Sequence, residues 1–138
     1  MRDHALEGIC LGDTVYSSHE ISRQDEDDLI RLSGDANPLH SDDAFARQHS
    51  FRERLAHGLL VSSCLLPAFA KLSAAPGFLC LSQTLQYRKP VYVGDRLEAV
   101  VRVVHKSEAT RVLVVATTVL NQEGEPVLTG EAKIQLLG

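Results

Sequence analysis

Apolar and polar positions divide the chain into two halves with different periods. From Phe78 onward, four long runs have the alternating, β-branched character of strands: FLCLSQTLQYRK (78–89), RLEAVVRVVHKS (96–107), TRVLVVATTVLN (110–121) and PVLTGEAKIQLL (126–137). Their connectors PVYVGD, SEA and QEGEP hold turn chemistry, and connectors this short predict antiparallel neighbours. Earlier, TVYSSHEI (14–21) alternates weakly and reads as an opening strand. GLLVSSCLLPAFAKLS (58–73) is apolar almost all round, which predicts a helix buried on every side, kinked or ended at Pro67 and closed by APG (75–77). Ser22 and Asp25 form a capping box, so a helix is expected from about Arg23, burying Leu29, Ile30 and Leu32. SDDAFARQ (41–48) predicts a short helix capped by Ser41, with two acids in its first turn.

The runs exceed the usual strand of roughly five or six residues, so the strands should be long and strongly twisted. One apolar helix and one long antiparallel sheet pack most simply when the sheet curls around the helix. The expected class is α+β, a hot-dog architecture in a single domain spanning residues 1–138. A sheet of this kind keeps long edges, and pairing them across a two-fold axis predicts a homodimer or a dimer of dimers.

Composition narrows the class further. A hydrophobic fraction of 44% and a charged fraction of 23% are those of a soluble globular protein. The net charge of −4 removes the electrostatic case for a nucleic-acid partner. The start, MRDHALEGIC, is too polar for a signal peptide, and LLVSSCLLPAFA is too short to span a membrane. Cys10, Cys64 and Cys80 match neither a disulfide framework nor a zinc spacing, which suggests buried thiols in a reducing cytoplasm.

The chemistry concentrates in SGDANPLH (33–40), which places Asp35, Asn37 and His40 on one loop beside Gly34 and Pro38. Two readings stand side by side. Asp35 and Asn37 are ordinary residues for turns, and His40 then lies near the next helix start. Alternatively, an acid and an imidazole together form an acid–base site. The second motif, FRERLAHGLL (51–60), favours the site. His57-Gly58 stands at the mouth of the apolar helix, where unpaired N–H groups and the positive dipole end meet, and a glycine lets a ligand approach the backbone. That combination makes an oxyanion site. His57 itself is read as a capping or packing residue. His40, His49 and His57 match no common zinc spacing, so no metal is expected, and His4, His19 and His105 are read as surface residues.

The two motifs together resemble the MaoC-like hydratases, and within them the (R)-specific enoyl-CoA hydratases. The family pattern G-D-x-N-P-x-H appears as GDANPLH, the phenylalanine region as DDAFARQHSF, the a-H-G motif as AHGLL, and P-V-x-x-G-D as the end of YRKPVYVGD (87–95). The resemblance runs from about Gly12 to the end. It implies a catalytic pair, Asp35 and His40, an oxyanion donor in the Gly58 N–H, and Asn37 holding the loop and orienting the pair, counted with the substrate-binding residues. It implies reversible hydration of a trans-2-enoyl-CoA without metal or organic cofactor. Relatives that carry a serine deeper in the central helix have it where this chain has Leu66, so any serine-assisted contact is absent from that position.

Further substrate contacts are expected from Ser62, Leu66 and Phe69, taken as one face of the central helix, and from Arg88 and Lys89 toward coenzyme A phosphates, with Arg52 and Arg54 as a second basic cluster. Bulky Leu66 and Phe69 predict a short acyl chain of roughly four to six carbons. Competing readings are a dehydratase of acyl-carrier-protein thioesters or of branched or dicarboxylic acyl-CoA, a hot-dog thioesterase, and a non-catalytic binder of acyl thioesters. Only the dehydratase shares the need for the GDANPLH loop.

Overall fold

The computed structural model describes residues 6–72 and 77–137. The expectations for Ser73 to Pro76, and for His4, lie outside the described residues. The elements run β1 (Thr14–Glu20), α1 (Arg23–Ser33), α2 (Pro38–Ser41), α3 (Asp43–Gln48), α4 (Gly58–Ser63), α5 (Leu66–Ala70), β2 (Gly77–Tyr87), β3 (Arg96–Ser107), β4 (Val112–Leu120) and β5 (Pro126–Leu137). The five strands form one antiparallel sheet in the order β1-β3-β4-β5-β2. Among the described residues no helix is long and apolar enough to cross a membrane.

Alternation along the strands decides which face is buried. Leu97, Ala99, Val101 and Val103 of β3 and Leu113, Val115 and Val119 of β4 point to one side and lose essentially all solvent contact. Leu65, Ala68 and Phe69 of the central helical segment fill the hollow of the sheet with them. Burying each such large aliphatic or aromatic side chain contributes about 1.5–3 kcal/mol. The sheet wrapped around a helical segment is the expected α+β architecture.

Several local expectations need correcting. The central helix is two short helices, because Pro67 cannot donate to the helical ladder and the chain turns at Cys64 and Leu65. It is not buried on every side, since Leu59 and Leu66 are exposed. In α1, Leu32 is 77% exposed and Leu29 and Ile30 only half-buried, while Glu26 is the buried residue. The α1 capping box is present as expected, with Asp25 N–H donating to the Ser22 hydroxyl and Ser22 N–H to the Asp25 carboxylate. The cap of α3 is Asp42, whose Oδ1 accepts from Ala44 and Phe45, and Ser41 instead ends α2. Cys64 is buried, but Cys10 and Cys80 are exposed.

The largest topological correction concerns β2 and β3, which are not neighbours. β2 pairs with β5 at one edge, and β3 pairs with β1 and β4. The connector 88–95 therefore crosses the mouth of the sheet, where Ala56 N–H donates to Val91 O at 2.7 Å and Leu55 bridges Tyr92. This crossing places the connector beside the start of α4.

β2 and β5 approach most tightly at Gly130, where an added methyl group would lie 1.8 Å from the Thr84 carbonyl oxygen. Gly130→Ala is expected to cost about 2 kcal/mol or more, lowering Tm by about 5 °C or more. Gly77→Ala is the control, because its methyl would meet only Leu137 Cδ1, at 3.9 Å. Thermal melts followed by circular dichroism compare the two, and equal melting temperatures contradict the close approach.

Candidate active site

The Asp35 loop is built by local bonds. Gly34 N–H closes α1 on the Ile30 carbonyl, and Asp35 Oδ1 then accepts from Asn37 N–H at 2.9 Å in an Asx turn. Asn37 Oδ1 accepts from Leu39 N–H and caps α2, with Pro38 at its first position. The turn reading holds, and the same turn bonds set the positions of the acid and the imidazole. Asn37 is exposed, and its side-chain oxygen is committed to the cap.

His40 is fixed by a short segment zipped against it. Leu55 N–H donates to Leu39 O at 2.8 Å, and Leu55 O lies 2.8 Å from His40 Nδ1. The carbonyl can only accept, so Nδ1 carries the proton and a neutral ring keeps its lone pair on Nε2. Arg54 N–H anchors the same segment on Asp43 Oδ1 at 2.9 Å.

His57 does more than cap or pack. It makes no side-chain cap bond to α4, and its ring is buried between two carboxylates. Nε2 lies 2.8 Å from Asp35 Oδ2, and Nδ1 contacts Glu26 Oε1. Glu26 is fully buried and also accepts from the His57 backbone N–H, at 3.1 Å to each of its oxygens. The His40 and His57 rings stack at 3.7 Å between centroids. His57 thereby joins Asp35 and His40 into one cluster. Asp35 ionises below the usual carboxylate range, chiefly through the Asn37 N–H bond and further through His57, against a partial desolvation penalty.

Glu26, His40 and His57 place one ligand atom each within 4.8 Å of one another, yet they do not fit a metal. An ion lies in the plane of an imidazole that binds it, and rings stacked with 23° between their planes share no such point. Both Nδ1 atoms are also committed, one to Leu55 O and one to Glu26.

A cleft of about 370 Å³ opens between α4 and the crossing connector, lined by His40, Phe51, Leu55, Gly58, Val61, Tyr87 and Val127 among others. The Tyr87 ring covers Gly58 so closely that a methyl group there would lie 2.6 Å from Tyr87 Cζ. Only glycine admits that approach. The first-turn N–H groups of α4 have no side-chain cap, which suits an anionic oxygen.

The remaining predicted residues are distributed unevenly. Arg88 and Lys89 border the cleft, Arg88 bonded to Thr129 and Gln86 and Lys89 paired with Glu125. Arg52 stacks on Tyr92, and Arg54 is buried with its guanidinium toward Asp27, so this pair is not an open basic cluster. Ser62 is half-buried and donates to Leu59 O. Leu66 is on the surface, Phe69 lies in the core against Phe78, and neither borders the cleft. The cleft opens beside α4 and the crossing connector rather than along α5, so the steric ground for a short acyl chain at Leu66 and Phe69 is lost. Burial pushes the Cys64 thiol up to about 11, which makes it inert. Glu26 and Tyr87 were not foreseen. An acid in a helix reads as solvated, and nothing local to Tyr87 signals that its strand ends over Gly58.

Comparison with known proteins agrees with this geometry. The chain is 35% identical over 105 residues to the (R)-specific enoyl-CoA hydratase of Aeromonas caviae, covering 76% of this chain and 78% of that one. It is 35% identical over 127 residues to the mitochondrial 3-hydroxyacyl-[acyl-carrier-protein] dehydratase of Arabidopsis thaliana, covering 88% and 74%. The unliganded R-hydratase PhaJ1 structure from Pseudomonas aeruginosa superposes with a TM-score of 0.86 at 34% identity, over 96% of this chain and 84% of that one. The profile of the MaoC like domain matches residues 11–124, a span that holds the GDANPLH loop, the AHG motif and the crossing connector, and the chain belongs to this family.

Proposed function

We propose that the protein is a hydro-lyase that adds water across the double bond of a trans-2-enoyl thioester to give the (R)-3-hydroxyacyl product, and runs the reverse dehydration. The observation that carries this reading is that His40 and Gly58, at the uncapped start of α4, line one cleft, and that Asp35 is tied to His40 through the His57 ring stacked on it. The thioester carbonyl withdraws electrons from C3, and charge collects on its oxygen as water attacks. The Gly58 N–H is the donor for that oxygen, a role typically worth about 100- to 1000-fold in rate. Asp35 is ionised and able to accept from the water, and His40 offers the lone pair of Nε2. Together they hold the water and manage its protons, with Asn37 fixing the loop.

The carrier is coenzyme A or an acyl carrier protein, with Arg88 and Lys89 at the cleft mouth for its phosphates. The acyl chain lies against Phe51, Leu55, Val61 and Val127. The chain works as a single domain in the cytoplasm and as a homodimer. The edge strand β2 supports the dimer, since Leu79 and Leu81 are exposed on a strand that pairs with β5 alone.

Purified protein mixed with crotonyl-CoA is expected to lose the enoyl absorbance without releasing thiol. Asp35→Asn and His40→Gln should each lower turnover by roughly 100-fold or more with Tm retained. Thiol release instead indicates a thioesterase, and variants with wild-type turnover remove the residue concerned from the mechanism. Val61→Ala should raise kcat/KM for longer acyl chains relative to crotonyl-CoA, while Leu66→Ala leaves the ratio unchanged; the reverse result places the acyl chain elsewhere. Light scattering should give about twice the 15.1 kDa chain mass, and a monomer mass at micromolar concentration contradicts the dimer.

A further inference from the structure

Glu26 is unexpected in chemical terms. A carboxylate with no solvent contact is costly unless donors surround it, and the donors here all belong to His57. The backbone N–H of His57 supplies one. The other contact is from ring Nδ1, while ring Nε2 faces Asp35 at 2.8 Å. Each nitrogen therefore faces a carboxylate oxygen, and each contact needs a proton. A neutral imidazole has only one. With one ring proton, a lone pair would face a carboxylate unless Glu26 itself carried the second proton, and both Glu26 oxygens accept from the His57 backbone N–H, which suits the carboxylate.

We infer that ionised Glu26 is a positioning residue that holds His57 as an imidazolium, and that this imidazolium clamps Asp35 in its charged, water-binding orientation. The inference rests on the hydratase reading for its kinetic consequence, but its structural part stands without it. Glu26 does not touch the cleft; it acts through His57. Among the described residues, the charged and titratable groups around the Glu26–His57–Asp35 array are Asp27 of α1 with the buried Arg54 it pairs with; His40 of α2, stacked on His57; Tyr87 of β2, which covers Gly58; and Arg88 and Lys89, which border the cleft with His40. His40 Nδ1 is 3.9 Å from Glu26 Oε1 but bonded to Leu55 O, so His40 is not Glu26's main partner.

Glu26→Gln keeps the shape and can still accept from the His57 backbone, but removes the charge. His57 then holds one ring proton. On Nδ1, that proton leaves a bare Nε2 against Asp35; on Nε2, it leaves Asp35 a neutral donor where a cation stood. In both cases the Asp35 carboxylate is less favoured, so it takes up a proton at higher pH than in the wild type. The acid limb of the kcat profile in Glu26→Gln is thus expected to move toward neutral pH by about one unit. At the optimum, kcat should fall about 10-fold, with KM changed by less than about 2-fold. A purely structural role would scale the whole profile down without moving the limb, and an unmoved limb overturns the inference.

Nitrogen-detected NMR of the histidine rings in the wild type gives a second test that needs no variant. His57, assigned by comparison with His57→Gln, should carry protons on both ring nitrogens at pH 7. A single-proton tautomer of His57 there overturns the clamp. If the wild type hydrates no enoyl thioester, the hydratase reading fails while the ring spectrum still decides the clamp.

Discussion

A carboxylate buried beneath the start of a helix organises the candidate active site of this molecule. Glu26 has no water to turn to, so the chain must bring it donors, and His57 is the residue that complies with both backbone and ring. That demand fixes the angle at which the chain enters α4. It also ties α1, which carries Glu26 and ends in the Asp35 loop, to the segment that ends in Gly58. The acid, the two stacked imidazoles and the helix mouth are held as one body. A site assembled only from loops would lack that rigidity.

The sheet contributes through its connectivity. Because β2 pairs with β5 rather than β3, the chain must cross from one edge of the sheet to the far side, and the crossing segment passes over the entry to α4. Its contacts with Leu55 and Ala56 hold the segment that in turn holds His40. The cleft is the space left between that crossing and the helix. Its apolar floor continues the core, and its mouth carries the polar groups, which suits a ligand with an apolar tail and a polar head.

The central helical segment keeps one buried face through its interruption. An unbroken helix would align Ser62, Leu66 and Phe69 on a common stripe. The buried positions are Val61, Cys64, Leu65, Ala68, Phe69 and Leu72, a spacing of three and four that runs on across the turn before Pro67, so Phe69 belongs to the core face and Leu66 lies outside it. The cleft is lined instead by residues from other elements: Phe51 and Leu55 before the helix, Tyr87 and Val91 around the crossing, Val127 on β5.

Local and periodic features were legible in the amino-acid sequence, because they depend on neighbours along the chain. The strand runs 96–107 and 126–137, the capping box of Ser22 and Asp25, and the turn residues of GDANPLH all report short-range geometry. So does the presence of an acid and a histidine on one loop and a glycine at a helix mouth. Strand order, the reach of Tyr87 over Gly58 and the burial of Glu26 depend on residues tens of positions apart. Glu26 and His57 are separated by 31 residues, and nothing in the sequence around either distinguishes a solvated acid from a buried one, or a capping histidine from a bridging one. Only packing α1 against the start of α4 removes water from Glu26, and the cost of that removal is what turns an ordinary helical acid into the partner of His57.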